Sequence, residues 1–391
     1  MKAGPADVRT KPIKVLQLQP DFNVKTHAFA DLAEQIVIGL QPRRFTVVSA
    51  YLRGKPEAGD PVSRASRSVY FEFSDRELKG ARLKALWTLF KFCRAEQFDV
   101  IVCNRFKPIS MMLILSRWLP KAGYIGIIHG FGDFDRKYRL GQVRRLGSTS
   151  WCFVGVSEAV RLHLLGYKSG FTESNTITIT NAIDTLSATK LQLSRAAARQ
   201  ELGLPDDVLL IGAIGRLVPV KAHTLLVEAL AALKPRYPAL HLVIIGEGRE
   251  RDTLEALADD LQVSRSLHLP GFVPDALRYA KAFDVFAMPS LSEGLGLALL
   301  EAMSARLPLV ASQVPAMHPL LIGAGGKAVA VGNLESLISA LEDYLRLNET
   351  ERERAGEAAF NYLNRNHSVE KYRAAYRDLI EKMADQSAID E

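Results

Sequence analysis

Short apolar runs alternate with amphipathic stretches along almost the whole chain of 391 residues. In the first half, the apolar runs predict buried strands, and the stretches between them have helical spacing. The predicted strands are Ile13–Leu18, Phe45–Ala50, Val100–Cys103, Tyr124–Ile128, Trp151–Val156 and Thr176–Thr180, and the predicted helices lie near Thr26–Leu40, Glu77–Ala95, Ile109–Leu119 and Glu158–Leu165. Strands that alternate with helices predict a mostly parallel, doubly wound sheet.

A second alternation begins after a charged, alanine-rich helix at Ser194–Leu202 and a turn at Pro205–Asp207. Its predicted strands are Val208–Ile214, Leu240–Ile245, Ser266–Leu269, Phe283–Met288 and Pro308–Ala311, with helices ending at Leu233 and covering Glu250–Leu261. The chain from about Thr350 onward is charged and helical in pattern. Two α/β domains in tandem are therefore predicted, and ligands in such folds bind outside the carboxyl ends of the strands.

The composition is that of a soluble globular protein, with 48% hydrophobic and 24% charged residues. Three cysteines lie in apolar runs without metal-ligand spacing, which predicts reduced core thiols. No apolar run approaches the roughly 18 residues that span a bilayer, and no secretory leader is visible. These features predict a cytoplasmic protein.

The charges are unevenly distributed, since residues 1–200 contain 31 Lys and Arg against 16 Asp and Glu. A basic half can contact an anionic surface, either nucleic acid or the inner leaflet of a membrane, although a merely soluble basic domain is an alternative. The segment Arg82–Arg94 mixes Trp87 and two phenylalanines with four cations. Such a helix can lie on an anionic membrane, or it can face the core with its cations outside.

The run Pro289–Ser312 carries the first candidate chemistry, because Glu293 and Glu301 lie eight positions apart around a glycine-rich turn. Eight residues are a little over two helical turns, so both carboxylates can share one face of a helix. If the helix begins near Gly294–Gly296, Glu293 lies at its mouth, where the free N–H groups and positive dipole end can hold a phosphate. The alternative is a crossover helix whose glutamates are only solvated.

Two cations and a glycine follow the first strand of the second alternation. Gly215 permits a sharp turn, and Arg216 and Lys221 can converge on one anion such as a diphosphate. Two solvated loop cations are the alternative. The next strand is followed by Gly246-Glu247-Gly248, which indicates a tight turn near a ligand or a simple turn.

Further candidates follow other strands. The backbone of Gly271-Phe272-Val273 can meet a flat heterocycle, although a plain loop is the alternative. His129 ends a buried strand and can donate a hydrogen bond to a ligand oxygen, or it is a structural histidine. Asp133 and Asp135 are candidate acceptor contacts or solvated acids. No HExxH, CxxC or GxSxG motif supports a zinc protease, zinc ribbon or serine hydrolase.

Taken together, these motifs resemble the retaining glycosyltransferases of the GT-B fold, family 4, also called glycosyltransferase group 1. Between Arg195 and Ser312 the match is carried by RAAARQELGLPDD, GRLVPVK, LVIIGEG, LPGFV and PSLSEGLGLALLEAMSARLPLVAS, in this order. The first half matches mainly in layout, in Gly155–Ser157 and in Asn181–Asp184. Within the family, the chain looks closest to transferases that build lipopolysaccharide core or similar surface glycans.

The resemblance implies an α/β architecture of two doubly wound Rossmann-like domains facing each other across a cleft. Residues 1–185 would form an acceptor-binding domain and residues 186–365 a nucleotide-sugar-binding domain. Residues 366–391 would form a helix that crosses back to the first domain.

The resemblance also implies a role for each site residue. Arg216 and Lys221 would bind the donor diphosphate, and Glu293 would contact the donor sugar beside the anomeric carbon. His129 would contact that sugar from the other domain, and Glu301 would hold the ribose hydroxyls. The backbone of Leu295, Gly296 and Leu297 would bind phosphate, the loop of Phe272 and Val273 would meet the base, and Gly246 would lie near the ligand.

Three departures from the family pattern affect these expectations. The segment Gln19–Asn23 stands where the family usually has a glycine pair near donor and acceptor. Ala222 follows Lys221 in place of the usual glycine. After Ser312, QVPAMHP replaces the common GGxPE segment, which leaves sugar contacts there open.

The expected reaction is metal-independent transfer of a sugar, with retained configuration, from a nucleotide sugar to a glycan or glycolipid hydroxyl. A UDP-sugar is the expected donor and a substrate, so no cofactor is expected. Peripheral contact with an anionic inner membrane is expected, and nucleic acid binding is not. The alternatives are a glycan phosphorylase or nucleotide-sugar epimerase of similar architecture, and a catalytically silent sugar-nucleotide-binding subunit.

Overall fold

The chain forms two α/β units in the computed structural model, which describes residues 11–22, 32–119 and 122–389. One unit consists of the described residues up to Thr180 together with the chain from Glu370, and the other is Asn181–Val369. The boundaries expected from the sequence, after residues 185 and 365, differ from these divisions by a few residues.

The first unit contains a seven-stranded, fully parallel sheet in the order β3-β2-β1-β4-β5-β6-β7. Its strands are β1 (Ile13–Asp21), β2 (Phe45–Arg53), β3 (Arg67–Tyr70), β4 (Val100–Asn104), β5 (Gly123–Ile128), β6 (Trp151–Gly155) and β7 (Thr176–Thr178). The helices between them are α1 (Leu32–Gly39), α2 (Leu83–Glu96), α3 (Phe106–Leu115), α4 (Lys137–Leu146) and α5 (Glu158–Gly166).

The second unit contains a six-stranded parallel sheet in the order β10-β9-β8-β11-β12-β13. Its strands are β8 (Leu209–Ile214), β9 (Leu240–Ile245), β10 (Leu267–Gly271), β11 (Val285–Met288), β12 (Leu309–Ser312) and β13 (Lys327–Val329). Its helices are α6 (Thr185–Leu191), α7 (Arg195–Glu201), α8 (Thr224–Leu233), α9 (Arg251–Asp260), α10 (Leu297–Ser304), α11 (His318–Ala324), α12 (Leu334–Leu345) and α13 (Glu349–Asn366). This is the strand order of the Rossmann fold, whose order reverses between β8 and β11.

The central strands read as continuous apolar runs because both faces of each sheet are covered. Every residue of β4, β5 and β6 is buried, as is every residue of β11 and β12. Parallel sheets need this cover, since crossover helices lie on both faces. The apolar runs therefore identify the strands at the middle of each sheet.

The last helix, α14 (Val369–Ile389), packs within the first unit although it lies far from it in sequence. The Tyr372 hydroxyl donates a hydrogen bond to the Leu32 carbonyl at 3.2 Å. At Gly39 a Cβ atom would lie only 2.7 Å from Cβ of Arg373, so α1 and α14 approach closely there.

A buried ion pair holds β8 and β11 side by side at their amino ends. Arg199 of α7 is buried and donates to the Asp284 carboxylate at 3.0 Å. The Asp284 carboxylate also accepts a hydrogen bond from the backbone N–H of Leu210 at 2.7 Å. The pairing fixes the register of the two strands whose opposite ends carry the candidate site.

Six elements do not follow from the sequence pattern: β3, α4, α6, α11, β13 and α12. Strand β3 lies at the sheet edge and none of its residues is buried, so it lacks an apolar signal. Helix α4 is strongly basic, with Val143 as its buried residue. The helix expected at Thr26–Leu40 begins, in the described part of the chain, at Leu32; Asn23 and residues 24–31 lie outside the described residues.

The three cysteines are free and buried, in agreement with their prediction as core thiols. Burial raises the pKa of Cys93 to about 12, so this thiol stays protonated at neutral pH. Among the described helices, none is both long and apolar enough to traverse a lipid bilayer.

Candidate active site

The candidate site lies where the second sheet reverses its strand order. Strands β8 and β11 are hydrogen-bonded neighbours, and the loops that leave their carboxyl ends begin at Gly215 and Pro289. The N–H of Leu291 donates to the Val220 carbonyl at 2.8 Å, which joins the two loops directly. Ligands in doubly wound sheets bind at this reversal point.

Lys221 and Glu293 form an ion pair between these loops. The Lys221 ammonium donates to Oε1 of Glu293 at 2.6 Å, and the two side chains are only 17% and 14% exposed. The Lys221 stem runs beside Gly215, where a Cβ would lie 3.5 Å from Cε of the lysine. An ammonium has three N–H donors, so two remain for an anion after the bond to Glu293.

Glu301 is a second carboxyl group in the same region, and it feels the Lys221 charge. Desolvation raises the pKa of Glu301 to about 7, while the nearby ammonium lowers it and so only partly offsets the effect of burial. Glu301 retains some solvent-exposed surface. The three side chains therefore form one electrostatic cluster, in which Lys221 pairs with Glu293 and its charge acts on Glu301.

The two glutamates meet for a reason other than helical spacing. Helix α10 begins at Leu297, so Glu301 lies on the helix while Glu293 lies in the loop before it. The expectation that both share a helical face is therefore wrong, whereas the expected position of Glu293 at the mouth of the helix is confirmed. Lys221 instead pairs with Glu293 and its charge acts on Glu301, because β8 and β11 are adjacent in the sheet.

The start of α10 has the geometry expected for anion binding. Gly296 is its N-cap, with φ at 91°, and no side chain caps the helix. A Cβ at Gly296 would lie 3.0 Å from the Met317 sulfur in a conformation that L-residues rarely adopt. The first amides of a helix lack intrahelical acceptors, so those near Leu297 can bind phosphate.

Ala222 has a left-handed backbone conformation, with φ at 50°. Glycine adopts this conformation without steric cost, whereas alanine does so at some cost in energy. The alanine at this position thus has a backbone conformation that the family's usual glycine adopts readily. Ala222 ends the 3-10 turn Pro219–Lys221 that carries the lysine.

Arg216 follows Gly215 on the same loop as Lys221, and its residue is exposed. Its side chain forms no hydrogen bond or ion pair with the parts of the chain that the structure describes. Arg216 thus lies on the loop that carries Lys221 without bonding to the cluster. Its guanidinium is accessible to an anionic ligand.

The glycines after β9 are explained by packing of neighbouring loops. A Cβ at Gly246 would collide with the Gly215 carbonyl, and one at Gly248 would collide with the Leu217 carbonyl. The Gly246 N–H donates to the Gly271 carbonyl at 2.9 Å. Contact of Gly246 with a ligand remains a prediction, but the loop it supports is the one that carries Arg216.

The loop after β10 exposes an aromatic ring. Phe272 is exposed and Val273 is half-buried, directly beyond Gly271. The flat ring is accessible to a planar group, and contact of this loop with a nucleotide base remains a prediction.

His129 belongs to the first unit, at the carboxyl end of β5. Its Nε2 is buried and has no hydrogen-bond partner among the described residues. Burial, and secondarily the charge of Arg105, lowers the pKa of His129 to about 3, so the ring is neutral. Its backbone N–H donates to the Asp133 carboxylate, whose pKa is raised by desolvation.

Two polar side chains near the cluster were missed by the sequence analysis. Nδ1 of His223 and Oγ of Ser290 are buried without a partner among the described residues. Burial and the charge of Lys221 lower the pKa of His223 to about 4. Buried polar atoms normally have hydrogen-bond partners, so these two atoms are unusual. In the sequence, the signal that could have identified His223 and Ser290 is their position two and three residues from Lys221 and Glu293.

The described residues contain no group of three or more His, Cys, Asp or Glu side chains arranged to hold a metal ion.

Two family models match the chain and together cover most of it. Residues 194–362 match the model described as glycosyl transferases group 1, and residues 32–186 match glycosyltransferase family 4. The boundary between the two matches lies close to the division between the two units.

A curated relative is the lipopolysaccharide core biosynthesis glycosyltransferase LpsE of Rhizobium meliloti, 29% identical over 68% of this chain and 75% of the relative. Another is the D-inositol 3-phosphate glycosyltransferase of Stackebrandtia nassauensis, 31% identical over 49% of this chain and 46% of its own. Among solved structures, Anabaena HepE in complex with UDP and glucose superimposes with a TM-score of 0.76 at 17% identity, covering 95% of this chain and all of that chain. That likeness shows a shared fold, the GT-B fold.

Proposed function

The chain belongs to the family 4 glycosyltransferases, and we propose that it transfers a sugar from a UDP-sugar to a hydroxyl group of a membrane-associated glycan or glycolipid, with retained anomeric configuration. The LpsE relative is named for lipopolysaccharide core synthesis, and HepE binds UDP and glucose in its complex. These names support an acceptor of the cell envelope and a uridine nucleotide.

The observation that carries the proposal is the cluster of Lys221, Glu293 and Glu301 at the reversal point of the second sheet. It combines a cation for a diphosphate with carboxylates for sugar and ribose hydroxyls. Because the amides at the start of α10 lie on the same loop and helix, they add N–H donors for the phosphate.

The proposed leaving group is the nucleoside diphosphate, whose terminal oxygen gains negative charge as the glycosidic bond breaks. The ammonium of Lys221, the guanidinium of Arg216 and the α10 amides are placed to stabilise that charge. Such preorganised charge is usually the largest catalytic contribution. These side chains provide positive charge without a metal ion, so we propose a metal-independent reaction.

The ion pair also bears on the stereochemistry. A double displacement needs a nucleophile on the face opposite the leaving group. Glu293 is held 2.6 Å from the ammonium that would bind the leaving group, and thus on the leaving-group side. This position supports departure and attack on one face of the sugar.

The other proposed contacts involve one group from each neighbouring loop or strand end. Glu301 would accept hydrogen bonds from the ribose hydroxyls, the Phe272–Val273 loop would meet the base, and Gly246 would lie near it. In the first unit, the unpartnered Nε2 of His129 would bond to a sugar hydroxyl. The acceptor would bind to the basic first unit, at the inner face of the membrane.

A panel of UDP-, GDP- and ADP-sugars, followed by product analysis, tests the proposal. We expect a UDP-sugar to stabilise the folded protein by about 2.7 kcal/mol at 100 times its Kd. We expect NMR of the product to show the anomeric configuration of the donor, and EDTA to leave the rate unchanged.

Each alternative reaction gives a different result in the same assay. Sugar phosphate formed without an acceptor would indicate a phosphorylase, and an epimerised nucleotide sugar would indicate an epimerase. Nucleotide binding without any turnover would indicate a silent subunit, and an inverted product would disprove the proposed stereochemistry.

The raised pKa of Glu301 predicts a pH-dependent gain in stability for Glu301→Gln. A carboxyl group with a pKa of about 7 in the folded state binds protons more tightly there than in the unfolded chain. The wild type therefore loses stability as the pH rises from the pKa of this carboxyl group in the unfolded chain through 7. The amide of the variant does not titrate, so it causes no such loss. The melting temperature of the variant minus that of the wild type should be larger at pH 8 than at pH 5. The variant should also bind UDP more weakly. An unchanged difference in melting temperature at the two pH values would contradict the burial of this carboxyl group.

A further inference from the structure

An apolar groove of about 600 Å³ lies on the surface of the first unit, between α2 and the end of α3. It is lined by Leu83, Leu86, Trp87, Phe90, Arg94, Ile114, Leu115 and Trp118. The α2 part of the groove runs from Leu83 to Arg94, about 16 Å at the rise of an α-helix. Among these lining residues, Arg94 alone carries a charge.

Helix α2 has two apolar stripes, and the core uses one of them. Ala85, Leu89 and Cys93 recur at four-residue spacing and are buried. Leu83, Trp87 and Phe90 form the second stripe, which faces the groove. The second stripe is not needed to fold α2 onto the sheet, so it requires another explanation.

The rim of the groove consists of large apolar side chains that protrude into solvent. Leu83 is 75% exposed, Trp87 is 59% exposed and Trp118 is 63% exposed. Contiguous exposed apolar surface of this kind marks binding sites on soluble proteins. Tryptophan is also enriched at membrane interfaces, where an apolar ring with one N–H group fits both environments.

Exposed cations accompany the rim. The Lys91 ammonium lies 5.7 Å from the centre of the Trp87 ring, and the Arg94 guanidinium lies 5.9 Å from that of Phe90. Arg117 precedes Trp118 and is exposed. Lys84 also projects from α2, but it pairs with Glu77 at 2.6 Å. Anionic lipid headgroups complement this arrangement of cations beside apolar rings.

We infer that this groove receives an acyl chain of an anionic bilayer phospholipid, whose phosphate is bound by Lys91 and Arg94. Trp87 and Trp118 enter the bilayer on either side of the chain. The inference rests on the membrane-associated acceptor of the proposed function, and it assigns the surface that holds the enzyme there. The sequence offered core packing and membrane contact as alternatives for this basic segment. Under this inference α2 does both, since one stripe faces the core and the other faces lipid.

The tryptophan content allows a direct test with vesicles. The chain has three tryptophans, of which Trp87 and Trp118 line the groove while Trp151 is buried in the core, at 1% exposure. Phosphatidylglycerol vesicles with bromine atoms on the acyl chains should quench the two groove tryptophans and leave Trp151 emitting. The variant W87F/W118F should show no quenching, and phosphatidylcholine vesicles should quench the wild type far less.

Charge variants separate lipid binding from general basicity. K91Q/R94Q should weaken partitioning onto phosphatidylglycerol vesicles about thirtyfold, since each cation near an anionic surface contributes about fivefold. The control R265Q/R354Q removes two exposed arginines of the second unit and should bind as wild type. Stabilisation by UDP, measured in parallel, should be unchanged in every variant.

The possible outcomes distinguish this inference from the proposed function. Stabilisation by UDP without quenching would overturn the groove inference and leave the donor site standing. Cosedimentation with vesicles but no quenching would show that the cations bind the surface while the groove stays free of lipid, which also overturns it. Tryptophan emission that depends on protein concentration without lipid would identify a second copy of the chain as the occupant. Quenching without stabilisation by UDP would leave the groove inference standing and would disprove the proposed UDP-sugar donor.

Discussion

Replacement of Lys221 by methionine is expected to lower kcat by about 10²–10³, the loss typical of removing one donor that stabilises transition-state charge. Methionine fills much of the space of the lysine stem beside Gly215 and removes the ammonium. It also removes the ion-pair partner of Glu293 and the positive charge that acts on Glu301. The pKa of Glu301 should therefore rise further. The pH below which protonation of Glu301 abolishes activity should move upward with it.

Lys234→Met is the matched control for this substitution. Lys234 is also partly buried, but its ammonium donates to the carbonyl of Leu240, at the amino end of β9 and thus at the opposite edge of the sheet. We expect this variant to retain wild-type kcat. Steady-state kinetics and stabilisation by UDP should both be measured, because Lys221 would contact the diphosphate in the ground state as well. A Lys221→Met enzyme with more than a tenth of wild-type kcat would contradict the assignment.

The sequence predicts the sheets better than their edges, and the reason lies in burial. The strands β4, β5 and β11 are covered on both faces, so their apolar runs are continuous and easily identified. The edge strand β3 has no buried residue, and α4 presents cations along most of its length, so neither has a periodic apolar signal. Element prediction from one sequence therefore fails where the chain has little to bury.

The candidate site was found from motifs, but its geometry depends on strand order. Lys221 and Glu293 are 72 positions apart and meet because β8 and β11 are neighbours, which a linear pattern does not specify. The helical-spacing argument singled out Glu293 and Glu301, but Glu293 lies in the loop before α10 and not on the helix. Likewise, the glycine pattern at Gly246 is explained by the close approach of the Gly215 carbonyl, a contact between loops that only the fold produces.

The second large effect is expected for Glu293→Gln, which should lower kcat about 10²-fold or more and preserve binding of UDP. The proposed contacts of Glu293 are with the sugar, and UDP has no sugar at that position. The substitution also frees Lys221 from its ion pair, so stabilisation by UDP should be equal to or greater than that of the wild type. This combination separates a catalytic role from a structural one, because a misfolded site would lose both properties.

Glu342→Gln provides the matched control for Glu293→Gln, since Glu342 is 11% exposed and pairs with Arg236 at 2.9 Å, much as Glu293 pairs with Lys221. It lies on α12, away from the reversal point of the sheet, so we expect some loss of stability with unchanged kcat. In the double variant K221M/E293Q the losses should be far from additive, because both side chains belong to one cluster. Additive losses would mean that the two residues act independently, and the ion pair at the reversal point would then have no part in catalysis.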